Sequence, residues 1–300
     1  MSWRTVLVSK RCKLDMSLGY LEIRSDEIRK IHLSEIGTIV IESTGVSLTA
    51  ALLCELIRRK VTIIFCDEQR NPCSELLALY GSYDASGKVR QQVAWTSECK
   101  ALLWTEIVAE KIRRQQAMLT YAGQPEKAAQ LAQYIDEIRT ADESNREGHA
   151  AKVYFGGVFG AGFTRYTDSP INLALNYGYA ILLSTFNREI VCNGYLTQLG
   201  VFHSNLANPF NLACDLMEPY RPLVDRIVYE LTPEDFGREE KLRMLDVLNH
   251  QVIINHNRQY VSNAISIYCK SVFKALNEND MEELRFYEDE LSLHENDSIL

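Results

Sequence analysis

Nothing in this chain reaches about 18 consecutive apolar residues, so a transmembrane helix is not expected. C-x-x-C pairs are missing too. The eight cysteines (Cys12, Cys54, Cys66, Cys73, Cys99, Cys192, Cys214 and Cys269) follow no regular framework, and several stand in apolar runs such as VTIIFC. They read as reduced, mostly buried thiols of a cytoplasmic protein. The opening MSWRTVLVSKRCKL has charges inside any would-be apolar stretch and no cleavage site, so a secretory leader is not expected. Internal repeats and low-complexity linkers are also absent. So is an excess of positive charge: 32 Lys and Arg face 40 Asp and Glu, a net charge of −8, against what phosphate contacts favour. The imbalance is local. Nine acids and one base fall in 278–300, leaving 31 of each in the remaining residues. A balanced body can still carry a basic groove, so nucleic acid is not excluded.

What is present divides in two. Up to about residue 90 the chain reads as short strands (TVLVS, SLGYLEIRS, KIHLSEIGTIVIES, VTIIFCD), rich in β-branched and aromatic residues and punctuated by Gly, Asn, Asp or Ser. One helix interrupts them, opened by Ser47-Leu48-Thr49, with apolar positions at helical spacing and a basic end. Asn71-Pro72 marks a turn, and 83–87 reads as a turn or hinge. From about Ser97 the period becomes helical, through CKALLWTEIVAEKIRRQQAML to YVSNAISIYCKSVFKALN. The expected fold class is α+β: a small β-rich, sandwich-like domain over 1–90, a larger all-α domain over 97–277, and an acidic tail over 278–300, a short helix or frayed.

Three segments of the helical half bring potential metal ligands beside small or apolar residues: NREGHAAKVYF (145–155), LGVFHSN (199–205) and NLACDLMEPYRPLVD (211–225). Glu147 shares a helix face with Ala150, Ala151 and Tyr154, an uncommon place for a carboxylate without a partner. His203 follows an apolar run. Asp215 and Glu218 are three apart on one face, and Pro219 marks a break or kink. His149, two residues after Glu147, should point away from it. Each has a plainer reading, as an arginine's ion-pair partner, a core imidazole or a solvated helix face. By themselves these residues outline a helical site of carboxylates and one imidazole and name no reaction.

Their combination does more. The order E-G-x-A-A-x-x-Y-F, G-x-x-H, D-L-M-E-x-x-R-P, with VSKRCKLDMSLGYLEIR near the start and SPINLALNYGYAILL between the first two ligand motifs, resembles the CRISPR adaptation integrase family over nearly the whole chain. The wording looks most like the branch found beside a single large effector nuclease. The resemblance implies that Glu147, His203 and Glu218 are metal ligands and catalytic, with Asp215 a further ligand or an acceptor behind them. Some members of the family carry Asp where this chain has Glu218; the longer carboxylate reaches the same ion.

Two carboxylates and one imidazole make a hard, mostly oxygen site suited to Mn²⁺ or Mg²⁺; a thiolate zinc site is not indicated. The implied function is insertion of short DNA fragments into a repeat array, a DNA 3′-OH attacking a phosphodiester. DNA would be held by bases of the helical half (Lys111, Arg113, Arg114, Arg146, Lys152, Arg165, Arg188, Arg221) and by aromatic faces (Tyr166, Tyr177, Tyr179). Arg165 and Tyr166, between the first two ligand motifs, are the preferred contacts. The family also implies homodimers formed through the β domain, two of them bridged by a small second adaptation protein. Two other classes stay open: a structure-selective metal-dependent DNA endonuclease, and a non-catalytic DNA-binding scaffold. A helical-bundle redox metalloprotein lacks its Glu-x-x-His pairing.

Overall fold

The computed structural model describes residues 4–79 and 81–288. Its first part holds strands β1 (Arg4–Val8), β2 (Lys13–Ser17), β3 (Tyr20–Arg24), β4 (Ile28–His32), β5 (Ile36–Ile41) and β6 (Ser47–Leu48), helix α1 (Ala50–Arg58), then β7 (Thr62–Cys66) and β8 (Pro72–Leu76). They form two four-stranded sheets, ordered β1-β5-β7-β8 and β4-β3-β2-β6. In the first sheet β1, β5 and β7 run parallel and β8 closes antiparallel. Val6 and Ile39 from one sheet meet Leu14 and Leu21 from the other, with Leu52 and Leu56 of α1, in a small core.

The central strands β5 and β7 are covered on both faces, which is why IGTIVI and VTIIFC read as continuous apolar runs. Alternation sends Ile39 and Ile63 into the small core, while Val40 and Ile64 enter the large core of the helical half. Cys66 joins the large core, and burial pushes its thiol up to about 12. Of the eight cysteines, all free, Cys12, Cys66, Cys99 and Cys269 are buried, Cys192 and Cys214 half-buried, and Cys54 and Cys73 exposed.

The mostly helical part comprises α2 (Ala85–Ala94), α3 (Ser97–Tyr121), α4 (Pro125–Asp136), α5 (Arg146–Val158), α6 (Pro170–Cys192), α7 (Asn211–Leu216), α8 (Arg221–Leu231), α9 (Arg238–Leu245) and α10 (Val261–Glu278). Two departures from the sequence reading stand out. The stretch 83–87, read as a turn or hinge, instead enters α2, closed by Lys88 and Gly87 N–H groups on the Asp84 carbonyl. A hairpin, β9 (Gln251–Ile254) and β10 (Asn257–Tyr260), interrupts the helices. Asn255 and His256 make its tight turn, both at positive φ.

Lengths follow local chemistry. The Thr96 and Ser169 hydroxyls accept from the backbone N–H groups of Cys99 and Asn172, starting α3 and α6, and Pro170 stands at the first turn of α6. The described part of the acidic segment, through Glu288, lies against the helical body. Glu288 exchanges two 2.7 Å backbone bonds with Ile253, and Tyr287 is fully buried; residues 289–300 lie outside the described residues. Among the described residues no helix is long and apolar enough to cross a membrane.

Candidate metal centre

Four segments meet above the middle of α3. From α3 comes Lys111, only 8 % exposed. Its ammonium lies 2.6 Å from Glu147 Oε1 in the first turn of α5 and 2.5 Å from Glu218 Oε2. Glu218 occupies the 3-10 turn Glu218–Tyr220 that joins α7 to α8, where Pro219 ends the first helix as expected. On its other side Glu218 accepts from Arg221 Nε at 2.9 Å. Burial alone would raise the Glu218 carboxyl; Arg221 and Lys111 together outweigh it and bring it down to about 2. Burial likewise works against a charged Lys111, and the two glutamates reverse it, raising the ammonium above its ordinary range.

The start of α5 is held by backbone strain. Ala141, Asp142 and Asn145 all adopt left-handed φ between 52° and 58°, a cost of about 1 kcal/mol or more each for non-glycine residues. The turn lets the buried Asp142 carboxylate accept from the N–H groups of Arg146 (2.7 Å) and Glu147 (3.0 Å), which aims Glu147 inward.

His203 belongs to the same neighbourhood: after Asp215, Glu218 and Glu147 are the charges that lift its pKa, against the opposing effect of burial. Asp215 dominates that shift through a 2.5 Å bond to His203 Nδ1. Fully buried, Asp215 also accepts from the backbone N–H groups of Val201, Phe202 and His203. Four donors fill the four acceptor positions of a carboxylate, so Asp215 is built to orient the imidazole. His203 Nε2 has no partner among the described residues. Gly200 makes this loop possible, since a Cβ there would lie 2.3 Å from the His203 carbonyl and 2.7 Å from Asp215 Oδ2.

No three His, Cys, Asp or Glu side chains among the described residues stand close enough to hold an ion as placed; the Lys111 ammonium lies between the two glutamates. The donor set nevertheless fits a hard divalent ion. Glu218 Oε2 is a buried oxygen without a well-directed hydrogen bond, despite its short contact with Lys111. Glu147 is partly open, and the imidazole is fixed by a carboxylate behind it, the arrangement that orients metal-binding histidines.

The other candidates fall at varied distances from this centre. Arg165 lines the same small cavity as Lys111, Glu218 and Arg221, about 170 Å³ in volume, and donates to Asn172 (2.6 Å) and Asn176 (2.7 Å). Tyr166, beside it, is 99 % exposed. Tyr177 and Tyr179 are buried instead of offering faces, the Tyr179 hydroxyl being bonded to Asp225. Lys111 and Arg114 are buried and ion-paired, and Arg113, Arg188 and Arg221 also pair with glutamates. His149 neighbours Tyr134 and Arg146. The sequence reading gave no role to Gly200, Asp142 or Asp225, and took Lys111 for a surface base. Its position in the apolar stretch IVAEKI of an all-round-buried helix was the one available sign.

A family sequence model described as "CRISPR associated protein Cas1" matches residues 6–256. A "CRISPR-associated endonuclease Cas1" of Neisseria meningitidis serogroup C is 35 % identical over 274 residues, covering 89 % of each chain. One from Francisella tularensis subsp. novicida is 25 % identical, covering 83 % of this chain and 86 % of its own. Among solved structures, a casposase bound to integration product superposes with a TM-score of 0.76 at 18 % identity, over 94 % of this chain and 92 % of that one. A CAS1 protein from Thermotoga maritima gives a TM-score of 0.70 at 16 % identity, over 93 % and 98 %. The two sheets followed by helices are thus the fold of these proteins, and the chain belongs to the Cas1 family of CRISPR-associated proteins.

Proposed function

We propose that the chain is a divalent-metal-dependent enzyme acting on DNA phosphodiesters, whose principal reaction joins the 3′-OH end of a short DNA fragment to a CRISPR repeat. The observation that carries this reading is the meeting of Glu147 and Glu218, 71 positions apart, on one buried ammonium, beside an imidazole held by Asp215. Glu147, Glu218 and His203 Nε2 would hold Mn²⁺ or Mg²⁺. Such an ion neutralises charge on the phosphoryl oxygens and activates the attacking oxygen.

The chain's own residues do the rest. Asp215 fixes the imidazole so that Nε2 faces outward from the loop. Arg221 keeps Glu218 ionised. Arg165, on the wall of the adjoining cavity, offers a guanidinium to a phosphate, and exposed Tyr166 a face for a splayed base. The family relationship supports a homodimer. A bridging partner is suggested by the fold shared with a solved "Cas6-RT-Cas1--Cas2 complex".

Strand transfer tests the reading. Wild type with Mn²⁺, a 3′-OH fragment and supercoiled repeat DNA should yield joined product. Glu147→Ala, His203→Ala and Glu218→Ala should each lose at least about 10²-fold in rate, the scale of a removed catalytic group. Unchanged yield in those variants would leave a DNA-binding scaffold. Cleavage without joining would favour the endonuclease reading, which the printed names of the relatives support.

A further inference from the structure

Beside His203, the loop 198–209 and the end of α2 enclose a cavity of about 700 Å³, within the roughly 300–1,000 Å³ of small-ligand sites. Its wall contains no Asp or Glu, although the chain carries 40 of them. Donors line it instead. Asn205 uses Oδ1 to accept from the Ala207 N–H at 2.9 Å, and its amide nitrogen has no partner among the described residues. Gln198 likewise uses only Oε1, accepting from Thr197 Oγ1 at 3.4 Å, and Lys100 adds an ammonium. In the wall Asn211, 4 % exposed, gives its amide hydrogens to the Gln198 and Asn205 carbonyls and keeps Oδ1 without a partner. Exposed Val93, Leu199 and Leu206 supply the apolar surface.

Neutral amide donors, an orphaned acceptor and apolar walls complement the edge and face of a nucleobase. A bare phosphate would call for charged, bidentate donors, and a single lysine does not provide them. We propose that this cavity receives one unstacked nucleotide of the DNA strand adjoining the reacting phosphodiester, its base against Leu199 and Leu206 and its edge read by Asn205 and Gln198. This rests on the DNA-joining reading above and gives that site a specificity-determining pocket. His203 lines both, so the nucleotide seated here is an immediate neighbour of the reacting phosphate.

The probe is a branched duplex carrying 2-aminopurine or pyrrolocytosine at each position flanking the junction phosphodiester in turn. It is tested with wild type, Asn205→Asp, Gln198→Glu and Ala207→Trp. The first two keep the acceptors that hold the loop while putting a carboxylate into the cavity, and Ala207 is exposed; thermal melting checks that all three fold. Wild type should change the fluorescence at one position only. The two acidic variants should raise KM for DNA on the order of tenfold, with kcat within about twofold, and Ala207→Trp should abolish the fluorescence response. If wild type joins or cuts DNA while no position responds, or if the variants keep the wild-type KM, the pocket assignment fails and the functional reading stands. A wild type that neither binds nor processes DNA in Mn²⁺ overturns both.

Discussion

Lys111 carries its ammonium between two glutamates, and that single side chain makes the site self-neutralising before any ion arrives. Removing one partner of a buried ion pair costs on the order of 3 kcal/mol, so Lys111→Met should melt well below wild type in chelator. A divalent ion would then find two uncompensated carboxylates, and Mn²⁺ should raise the melting temperature of Lys111→Met more than that of wild type. Equal gains in differential scanning fluorimetry would show that the lysine and the ion do not compete. Asp225 offers a pH test one shell away. Burial lifts its carboxyl to about 6, against the hydrogen bonds of Tyr179 and Tyr154. Since the folded pKa exceeds the unfolded value of about 3.9, its share of stability is present below that value and is lost as pH rises through about 6. Asp225→Asn, neutral throughout, should therefore gain roughly 1 to 1.5 kcal/mol relative to wild type between pH 5 and pH 8; a constant gap in urea midpoints would refute this. At this scale the sequence displays residue types and spacings, which is why Glu147, His203, Asp215 and Glu218 could be named from their motifs. It does not display which cation faces which carboxylate, and Lys111 was misread for that reason.

Among the elements, α6 and α8 approach closely because Gly178 has no side chain: a Cβ there would stand 2.5 Å from Val224 Cγ1. Gly178→Ala should overpack the contact and cost about 1–3 kcal/mol. Val224→Ala on its own creates a small void, and the double variant should be more stable than the sum of the two losses predicts. Strict additivity in denaturant titrations would mean that the helices yield elsewhere. A similar closeness governs the passage from sheets to helices, where a Cβ on Gly81 would lie 1.6 Å from the Val191 carbonyl of α6. From α9, Lys241 reaches back to donate to the Gln69 and Arg70 carbonyls at 3.0 and 2.9 Å. The long helices and the strands were legible because their periodicities are sustained and their caps are strong. The entry into α2 and the hairpin β9–β10 were not. Ser-Gly near the start of α2 mimics a turn, and the two short hairpin strands, broken by Asn255 and His256, carry too little alternation to register between helices.

For the molecule as a whole, charge and chain path point the same way. The acids near the C-terminus account for the entire net charge, so the body offers no broad basic surface and most of its described arginines serve internal pairs. The described end of that acidic segment also braces the candidate site. Tyr287 packs its ring 4.7 Å from that of Tyr220, with the Arg114 guanidinium 4.5 Å above it. Its backbone carbonyl accepts from Arg114, and its hydroxyl donates to the Pro219 carbonyl at 3.1 Å. Pro219 follows Glu218 directly, so the segment presses on the turn that places this carboxylate. Tyr287→Ala should cost about 3–5 kcal/mol, the range for emptying a buried aromatic site, and should weaken Mn²⁺ binding by loosening the Glu218 turn. Tyr287→Phe keeps the stacking and loses one hydrogen bond, about 1 kcal/mol. Mn²⁺ titrations by electron paramagnetic resonance on both variants separate the two contributions. If Tyr287→Ala binds the ion as wild type does while melting earlier, the segment supports the fold and has no hold on the site.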